Sequence, residues 1–122
     1  MKYLCLVYYE EKTINAMTKD EWDALNGECI ACGEGLRESG HYLGGNALHP
    51  VHTATTVRVR NGKASVTDGP FAETKEQLAG FYLLNARDLN EVIQLAIRIP
   101  PARLGSIEIR PVRELTPDQQ PR

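Results

Sequence analysis

The chain has 122 residues, of which 42% are hydrophobic and 25% are charged. This length suits a single domain, and the composition is that of a globular protein, which excludes a disordered or fibrous chain. The 14 basic and 16 acidic residues give a formal net charge of −2. Because nucleic-acid-binding proteins carry a basic excess that neutralises phosphates, we expect no nucleic-acid partner.

The apolar run near the N-terminus, residues 3–9, is too short for a signal peptide or a membrane anchor. It is followed by Glu10-Glu11-Lys12, whereas a membrane-spanning helix needs about 20 apolar residues and a signal peptide ends in a small-residue cleavage site. We therefore expect a cytoplasmic protein with no membrane partner.

Cys29 and Cys32 form a C-x-x-C pair, which is typical of redox or zinc sites. His49 and His52 could complete a four-ligand zinc set. The two cysteines also fall, at steps of three and four, on the apolar stripe of an amphipathic helix made of Trp22, Leu25, Cys29, Cys32 and Leu36. We favour buried, reduced thiols and expect neither a metal nor an organic cofactor, with the zinc and redox interpretations as alternatives.

A strand and a helix are predicted first along the chain. Residues 3–9 are apolar on both alternations, which is typical of a strand covered on both faces. Thr18 and Glu21 have the spacing of a capping box, and Gly40 suits a C-terminal stop. These signals predict a helix over residues 18–38.

A β-hairpin is the clearest local prediction. Asn61-Gly62 is a strong signal for a two-residue turn within residues 53–68. The turn sets a register in which apolar side chains share one face of the hairpin and polar side chains share the other. The predicted pairs are Arg60 with Lys63, Val59 with Ala64, Arg58 with Ser65, and Val57 with Val66.

In the second half of the chain, the sequence pattern predicts a strand, then a helix, then a second strand. Residues 78–86 are again apolar on both alternations. Asp88 has the position of an N-cap for a helix that ends before Pro100-Pro101, and residues 106–112 alternate as a last strand. We expect one domain over residues 1–113, followed by a mobile tail over residues 114–122.

With the hairpin counted as the second strand, the predicted order β-α-β(hairpin)-β-α-β favours an α+β fold with a ferredoxin-like antiparallel sheet and both helices on one face. Two helices cover only one face of such a sheet. Because the strands at 3–9 and 78–86 are apolar on both faces, the second face needs another cover. The simplest cover is the same face of a second copy, which predicts a homodimer.

The segment TDGPFAETKEQ at residues 67–77 is the most distinctive motif of the chain. It resembles the DGPF (DGPFAETKE) branch of the YCII-related family. The likeness extends to KYLCLVY at 2–8, LGG at 43–45, ATTVRVR at 54–60 and IEIRPV at 107–112. The resemblance implies a ferredoxin-like subunit that dimerises through its sheets into a dimeric α/β barrel.

The resemblance implies less about activity. The wider superfamily includes small-molecule enzymes such as a dehydrochlorinase and muconolactone isomerase. Some shorter YCII-like members place a histidine–aspartate pair on and just after the first helix. This chain has no histidine before His41 and carries Glu28 and Glu38 on that helix instead, so the pair does not transfer.

Asp68 and His49 are the predicted catalytic residues. By parity with Ala64 and Val66, Asp68 points to the apolar side of the hairpin, where a carboxylate must find hydrogen bonds or a cation. It could also simply accept backbone N–H groups in an Asx-turn. A histidine close to Asp68 would form a general acid–base pair.

A binding site is predicted around this pair of residues. The expected ligand-binding residues are Tyr9, Phe71, Glu73, Lys75 and Glu76. Phe71 is also expected to be buried. The alternative interpretation is that Glu73, Lys75 and Glu76 simply belong to a solvated loop.

Two functional hypotheses follow. The first is a cofactor-independent small-molecule enzyme that performs proton transfer, elimination or hydrolysis on an unknown substrate. The second is a non-catalytic dimeric module that binds a ligand or acts with a transcription factor, because family members that resemble this chain are often encoded beside alternative sigma factors. A pocket with Asp68 on its wall would favour the enzyme.

Overall fold

The computed structural model describes residues 1–117. Its strands are β1 (Lys2–Tyr9), β2 (Tyr42–Ala47), β3 (Thr55–Arg60), β4 (Lys63–Asp68), β5 (Gln77–Asn85) and β6 (Ser106–Pro111). Its α-helices are α1 (Glu11–Asn15), α2 (Lys19–Glu38) and α3 (Leu89–Ile97), and two 3-10 helices cover Val51–Thr53 and Pro100–Arg103.

Four strands form an antiparallel sheet in the order β2-β5-β1-β6. Together with α2 and α3 they give the order β-α-β-β-α-β, and the predicted α+β ferredoxin-like fold is confirmed. The prediction was wrong about which strand lies at the edge beside β5. That strand is β2, whereas β3 and β4 pair only with each other in a separate two-stranded sheet.

Strand β2 was missed because Gly44 and Gly45 interrupt its pattern. Glycine is depleted in strands and contributes no side chain to an alternation. The register of β2 against β5 shifts between Tyr42 and Gly44, which also blurs a period of two. Sequence patterns therefore gave the hairpin the place in the sheet that belongs to β2.

The core lies between the sheet and its helices. On β1, Tyr3, Cys5 and Val7 are buried and lie on one face of the sheet. They belong to a cluster that also contains Leu36, Leu84, Ala86, Val92, Leu95, Ala96 and Ile99. Three apolar faces, from β1, β5 and α3, therefore meet in one core.

The opposite sheet face is apolar as well. Leu4, Leu6 and Tyr8 alternate with the buried residues of β1 and are half-buried. Their register with β5 places Phe81 and Leu83 on the same side. We call this set (Leu4, Leu6, Tyr8, Phe81 and Leu83) the open face.

The predicted helix signals are confirmed for α2. The hydroxyl of Thr18 accepts from the backbone N–H of Glu21, and the Glu21 carboxylate accepts from the backbone N–H of Thr18. These bonds satisfy N–H groups that lack intrahelical partners. Gly40 follows the helix with φ +78°, in the left-handed region that glycine adopts readily.

Helix α3 also begins at its predicted cap. The Asp88 carboxylate accepts from the backbone N–H of Glu91 at 2.9 Å. The helix ends at Ile97, and the two prolines start the following 3-10 helix. The five-residue α1 was not predicted.

The hairpin has the predicted register, with Val59 opposite Ala64 and Val57 opposite Val66. Asn61 (φ 52°) and Gly62 (φ 74°) both take left-handed conformations, as a type I′ turn requires. Its apolar face is nevertheless exposed, and every residue of β4 is exposed. The expectation that this face meets the core was wrong, because the hairpin extends away from the four-stranded sheet.

The predicted mobile tail, residues 114–122, lies partly outside the described residues, which end at 117. Within the described part, no helix is both long and apolar enough to cross a membrane.

Candidate functional site

A cavity of about 370 Å³ lies between α2 and the helix-covered face of the sheet. We call it the inner cavity. Apart from aliphatic groups, glycines and Phe81, whose side chain lies on the open face, it is lined by Tyr9, Trp22, Asn26, Cys29, Glu34, Arg37, Tyr42, Asn46 and Tyr82. Its size falls within the range of small-molecule sites, and its walls combine an apolar body with a few polar groups.

Glycines leave room for the inner cavity on both of its walls. Gly33 lines it from α2, and Gly45 and Gly80 line it from the sheet. A Cβ at Gly45 would lie 2.8 Å from the Phe81 carbonyl oxygen, and one at Gly80 would lie 2.8 Å from that of Asn46. Larger residues at these two sheet positions would need a backbone shift, so the floor of the cavity stays free of side chains there.

Arg37 joins the C-terminal half of α2 to the sheet across this cavity. Its guanidinium carbon lies 4.3 Å from the centre of the Tyr42 ring, a cation–π contact. The Tyr42 hydroxyl donates to the Gly45 carbonyl at 3.3 Å. Tyr42 also meets Tyr82 edge to face, with ring centres 6.4 Å apart. The guanidinium is therefore held beside two aromatic rings.

Two tyrosines of the inner cavity, Tyr9 and Tyr82, are neutral hydrogen-bond donors. Burial, with smaller effects of Cys32, Cys29 and Tyr42, raises the pKa of Tyr82 to about 12. Burial, followed by the charge of Glu11 and then Cys29, raises the pKa of Tyr9 as well. Desolvation disfavours the phenolate in both cases, so both hydroxyls keep their protons at neutral pH.

Cys29 and Cys32 are free and half-buried on α2, so the expectation of full burial was wrong. Burial raises the pKa of both thiols, and protonated thiols are weak nucleophiles. Among residues 1–117, no three histidine, cysteine, aspartate or glutamate side chains are grouped to hold a metal ion.

A second cavity of about 500 Å³, here the outer cavity, lies between α1, the start of α2 and the segment before the first 3-10 helix. Its polar and aromatic lining consists of Tyr9, Glu11, Asn15, Thr18, Lys19, Trp22 and His49. Tyr9, Trp22 and Ala79 line both cavities. The two cavities therefore adjoin at these residues.

Glu11 is held in place at the outer cavity. Its carboxylate accepts from the backbone N–H of Val51 at 3.0 Å, and its own N–H donates to the side chain of Gln77 at 2.9 Å. The structure thus brings His49, Glu11 and Tyr9 to one cavity. An imidazole, a carboxylate and a neutral phenol are groups that can exchange protons with a bound substrate.

The structure separates the two predicted catalytic residues. His49 lines the outer cavity together with the predicted ligand-binding residue Tyr9. Asp68 ends β4 opposite Thr55 and is exposed. Its side chain makes no hydrogen bond with residues 1–117, so the Asx-turn alternative was wrong; Gly69 instead donates its N–H to the Ala54 carbonyl at 2.7 Å.

The other predicted ligand-binding residues lie in the loop that follows β4. Phe71 is 79% exposed, so the expectation that it is buried was wrong. Glu73 and Lys75 are exposed, and Glu76 accepts from the Ser106 hydroxyl at 2.8 Å. In the single chain over residues 1–117, these four side chains and Asp68 line neither the inner nor the outer cavity.

Sequence reasoning missed Arg37, Tyr42 and Tyr82 as site residues. A signal was present on α2, where Leu25, Cys29, Gly33 and Arg37 recur at steps of four and all line the inner cavity. A charged residue that continues an apolar stripe marks a place where the stripe faces something other than a packed core.

Comparison with known proteins agrees with this fold. Residues 1–116 match the model of the YCII-related domain. The chain is also 36% identical over 123 residues, covering 99% of both chains, to an uncharacterized protein of Rhizobium meliloti (strain 1021). The chain belongs to the YCII-related family, and the family predicted from the sequence is confirmed.

Proposed function

We propose that this chain is a cofactor-independent small-molecule enzyme of the cytoplasm that performs proton transfer, elimination or hydrolysis. The observation that supports this most directly is the junction of the two cavities at Tyr9. The inner cavity holds the body of the substrate, and the outer cavity supplies the groups that exchange protons.

His49 is the proposed acid–base residue. It lines the outer cavity, and imidazole is the side chain best suited to accept and return a proton near neutral pH. Tyr9, whose raised pKa keeps it protonated, donates a hydrogen bond to an oxygen on which negative charge develops. Glu11 is fixed by the N–H of Val51. Its carboxylate either orients the substrate or provides a negative charge at this end of the site.

We further propose that the active form is a homodimer joined through the open face. The open face is apolar, and the hairpin exposes Val57, Val59 and Val66 at 60% or more. Burial of such surfaces drives association. Asp68 and the loop at 69–76 line no cavity of the single chain, so their proposed catalytic and binding roles depend on this assembly.

A regulatory module remains the second candidate, because one observation favours it. The exposed hairpin and Phe71 present apolar surface outside any cavity. That arrangement is typical of a protein-contact surface, and it suits a dimer that acts with a transcription factor such as a sigma factor. The enzyme is preferred because tyrosines and His49 line two adjoining cavities.

The test begins with a thermal-shift screen of a metabolite library on the intact protein. Stabilising compounds are then followed for conversion by the wild type and by His49→Asn, which should lose turnover by roughly 100-fold. His52→Asn is the matched control, because His52 is exposed and lines neither cavity. Equal turnover in wild type and His49→Asn would remove His49 from the mechanism.

Asp68→Asn separates the two candidate functions. It keeps the shape of the side chain and removes its charge. If Asp68 acts on substrate in the dimer, this variant binds the compound and converts it roughly 100-fold more slowly. A compound that binds without conversion by any variant, remote from residues 68–76, would favour the regulatory module.

A further inference from the structure

Arg37 is a cation without an anionic partner. The ion pairs within residues 1–117 join other side chains, and its guanidinium makes no hydrogen bond with this part of the chain. Its contact is the face of Tyr42 at 4.3 Å. Stacking fixes the plane of the guanidinium and leaves its N–H groups available to a ligand.

The inner cavity also has unused donors. Within residues 1–117 the hydroxyls of Tyr3 and Tyr42 donate hydrogen bonds, whereas those of Tyr9 and Tyr82 have no partner. No fully buried side-chain polar atom in this part of the chain lacks a partner, so both hydroxyls remain accessible from the cavity. Each hydroxyl has an O–H that can donate to an acceptor oxygen of a ligand, such as a carboxylate oxygen.

Glu34 is the other charged residue among those that line the inner cavity. It lies one turn before Arg37 on α2 and makes neither an ion pair nor a hydrogen bond within residues 1–117. Both side chains are exposed, but only the Arg37 guanidinium can make, and does make, a cation–π contact with the Tyr42 ring. The fixed charge beside the tyrosines is therefore positive.

We propose that the inner cavity recognises a small planar carboxylate, whose anionic oxygens Arg37 binds while Tyr82 donates to one of them and Tyr42 contacts its apolar body. This inference rests on the proposed function, because it names the substrate class of the same site. Bidentate binding by arginine is the geometry that carboxylates favour.

The experiment compares benzoate with benzamide, a neutral planar analogue of the same shape, by calorimetric titration of the intact protein at neutral pH. Benzoate should bind more tightly to the wild type by about tenfold or more, the usual range for a charge-assisted hydrogen bond. Arg37→Gln should abolish that preference, and Arg37→Lys should restore part of it. Glu34→Gln should tighten benzoate binding by about two- to threefold.

Arg98→Gln is the matched control. Arg98 is likewise exposed, lines a different cavity and takes part in none of the ion pairs within residues 1–117. Loss of the Arg98 charge should leave the preference for benzoate intact, because Arg98 could contribute only a non-specific attraction between its positive charge and the anion. An equal loss in Arg98→Gln and Arg37→Gln would overturn the assignment of Arg37.

Two further outcomes separate this inference from the proposed function. If benzamide binds as tightly as benzoate and both protect Cys29 from alkylation, the inner cavity is a binding site and the carboxylate class is wrong. If neither compound protects Cys29 or binds, both proposals fail at this cavity. Circular dichroism of each variant confirms folding, and the exposed position of Arg37 favours it.

Discussion

The helix-covered side of the sheet and the hairpin are built from the same local pattern and end in opposite environments. Val7 on β1 is 5% exposed, and Val66 on β4 is 68% exposed. Both alternate with outward-facing neighbours and both pair with an antiparallel strand. A strand pattern therefore predicts that a segment is a strand, whereas the burial of that strand depends on which other elements cover it.

The difference also divides the molecule by function. Helix α2 crosses the sheet above glycines and encloses a space lined by tyrosines and Arg37. The hairpin encloses no such space and presents apolar surface. We therefore propose small-molecule chemistry for the first region and contact with a second protein chain for the second.

The largest expected effect comes from a charge inside the core. Val7→Asp places an unpaired carboxylate among buried groups and should cost about 4 kcal/mol, a large part of the stability of a small domain. Val66→Asp, on the exposed hairpin, should change the free energy of unfolding by less than about 1 kcal/mol. Urea unfolding followed by circular dichroism compares the two variants; equal losses would contradict the separation of the two regions.

A charge on the open face should break the assembly. Leu6→Asp lies one residue from Val7 and on the other side of the sheet. Sedimentation should show a dimer for the wild type and a folded monomer for this variant, because the charge would be buried in the interface. Lys12→Asp, an exposed change on α1, serves as the control. A wild-type monomer of 13.6 kDa at micromolar concentration would overturn the dimer proposal.

Alkaline pH should weaken the core through Cys5. Burial raises the pKa of this thiol from 9.0 to about 11. Below pH 9 the thiol is protonated in both the folded and the unfolded chain, so its burial contributes fully to the free energy of unfolding. Between pH 9 and 11 the unfolded chain releases the proton and the folded chain keeps it, so the free energy of unfolding falls, by about 2 kcal/mol.

Cys5→Ala should reduce the slope of this part of the pH profile, measured by urea unfolding at several pH values. Cys29, Cys32, Tyr9 and Tyr82, whose pKa values are also raised, contribute the rest of the slope. Val66→Asp should leave the profile unchanged in shape, since the hairpin holds no buried thiol. The same slope in wild type and Cys5→Ala would show that the alkaline loss arises elsewhere.

The smallest effects compare glycine substitutions in the two regions. Gly62→Ala puts a Cβ on a residue with φ 74° in the hairpin turn and should cost about 1 kcal/mol, seen as faster amide exchange in β3 and β4. Gly35→Ala adds a Cβ to α2 where nothing lies within 4 Å, and it should stabilise by about 0.5–1 kcal/mol. The same sign in both variants would contradict the turn assignment.

Much of the local structure could be predicted from the sequence, because neighbouring residues determine it. The caps at Thr18 and Asp88 and the hairpin register at Asn61-Gly62 depend on side chains within a few residues of one another. Strand β2 could not be predicted in this way. Its Gly44 and Gly45 carry no pattern, and pairing with β5 rather than local preference makes it a strand.

The inner cavity could not be predicted because it depends on three glycines, which have no side chain to fill the space. Gly33, Gly45 and Gly80 come from three separate elements, and only the packing of α2 on the sheet brings them together. The alternation of residues along β4 correctly predicted the hairpin face on which Asp68 lies. It did not predict that this face is exposed.

We propose above all that the ligand binds in the inner cavity under α2 and not at the DGPF loop of a single chain. Titration of the ¹⁵N-labelled protein with benzoate, followed by two-dimensional NMR, tests it directly. We expect the largest amide shift changes at Gly33, Gly45 and Tyr82, which line the inner cavity. Changes confined to residues 68–76, with the amides around Gly45 unmoved, would contradict the account.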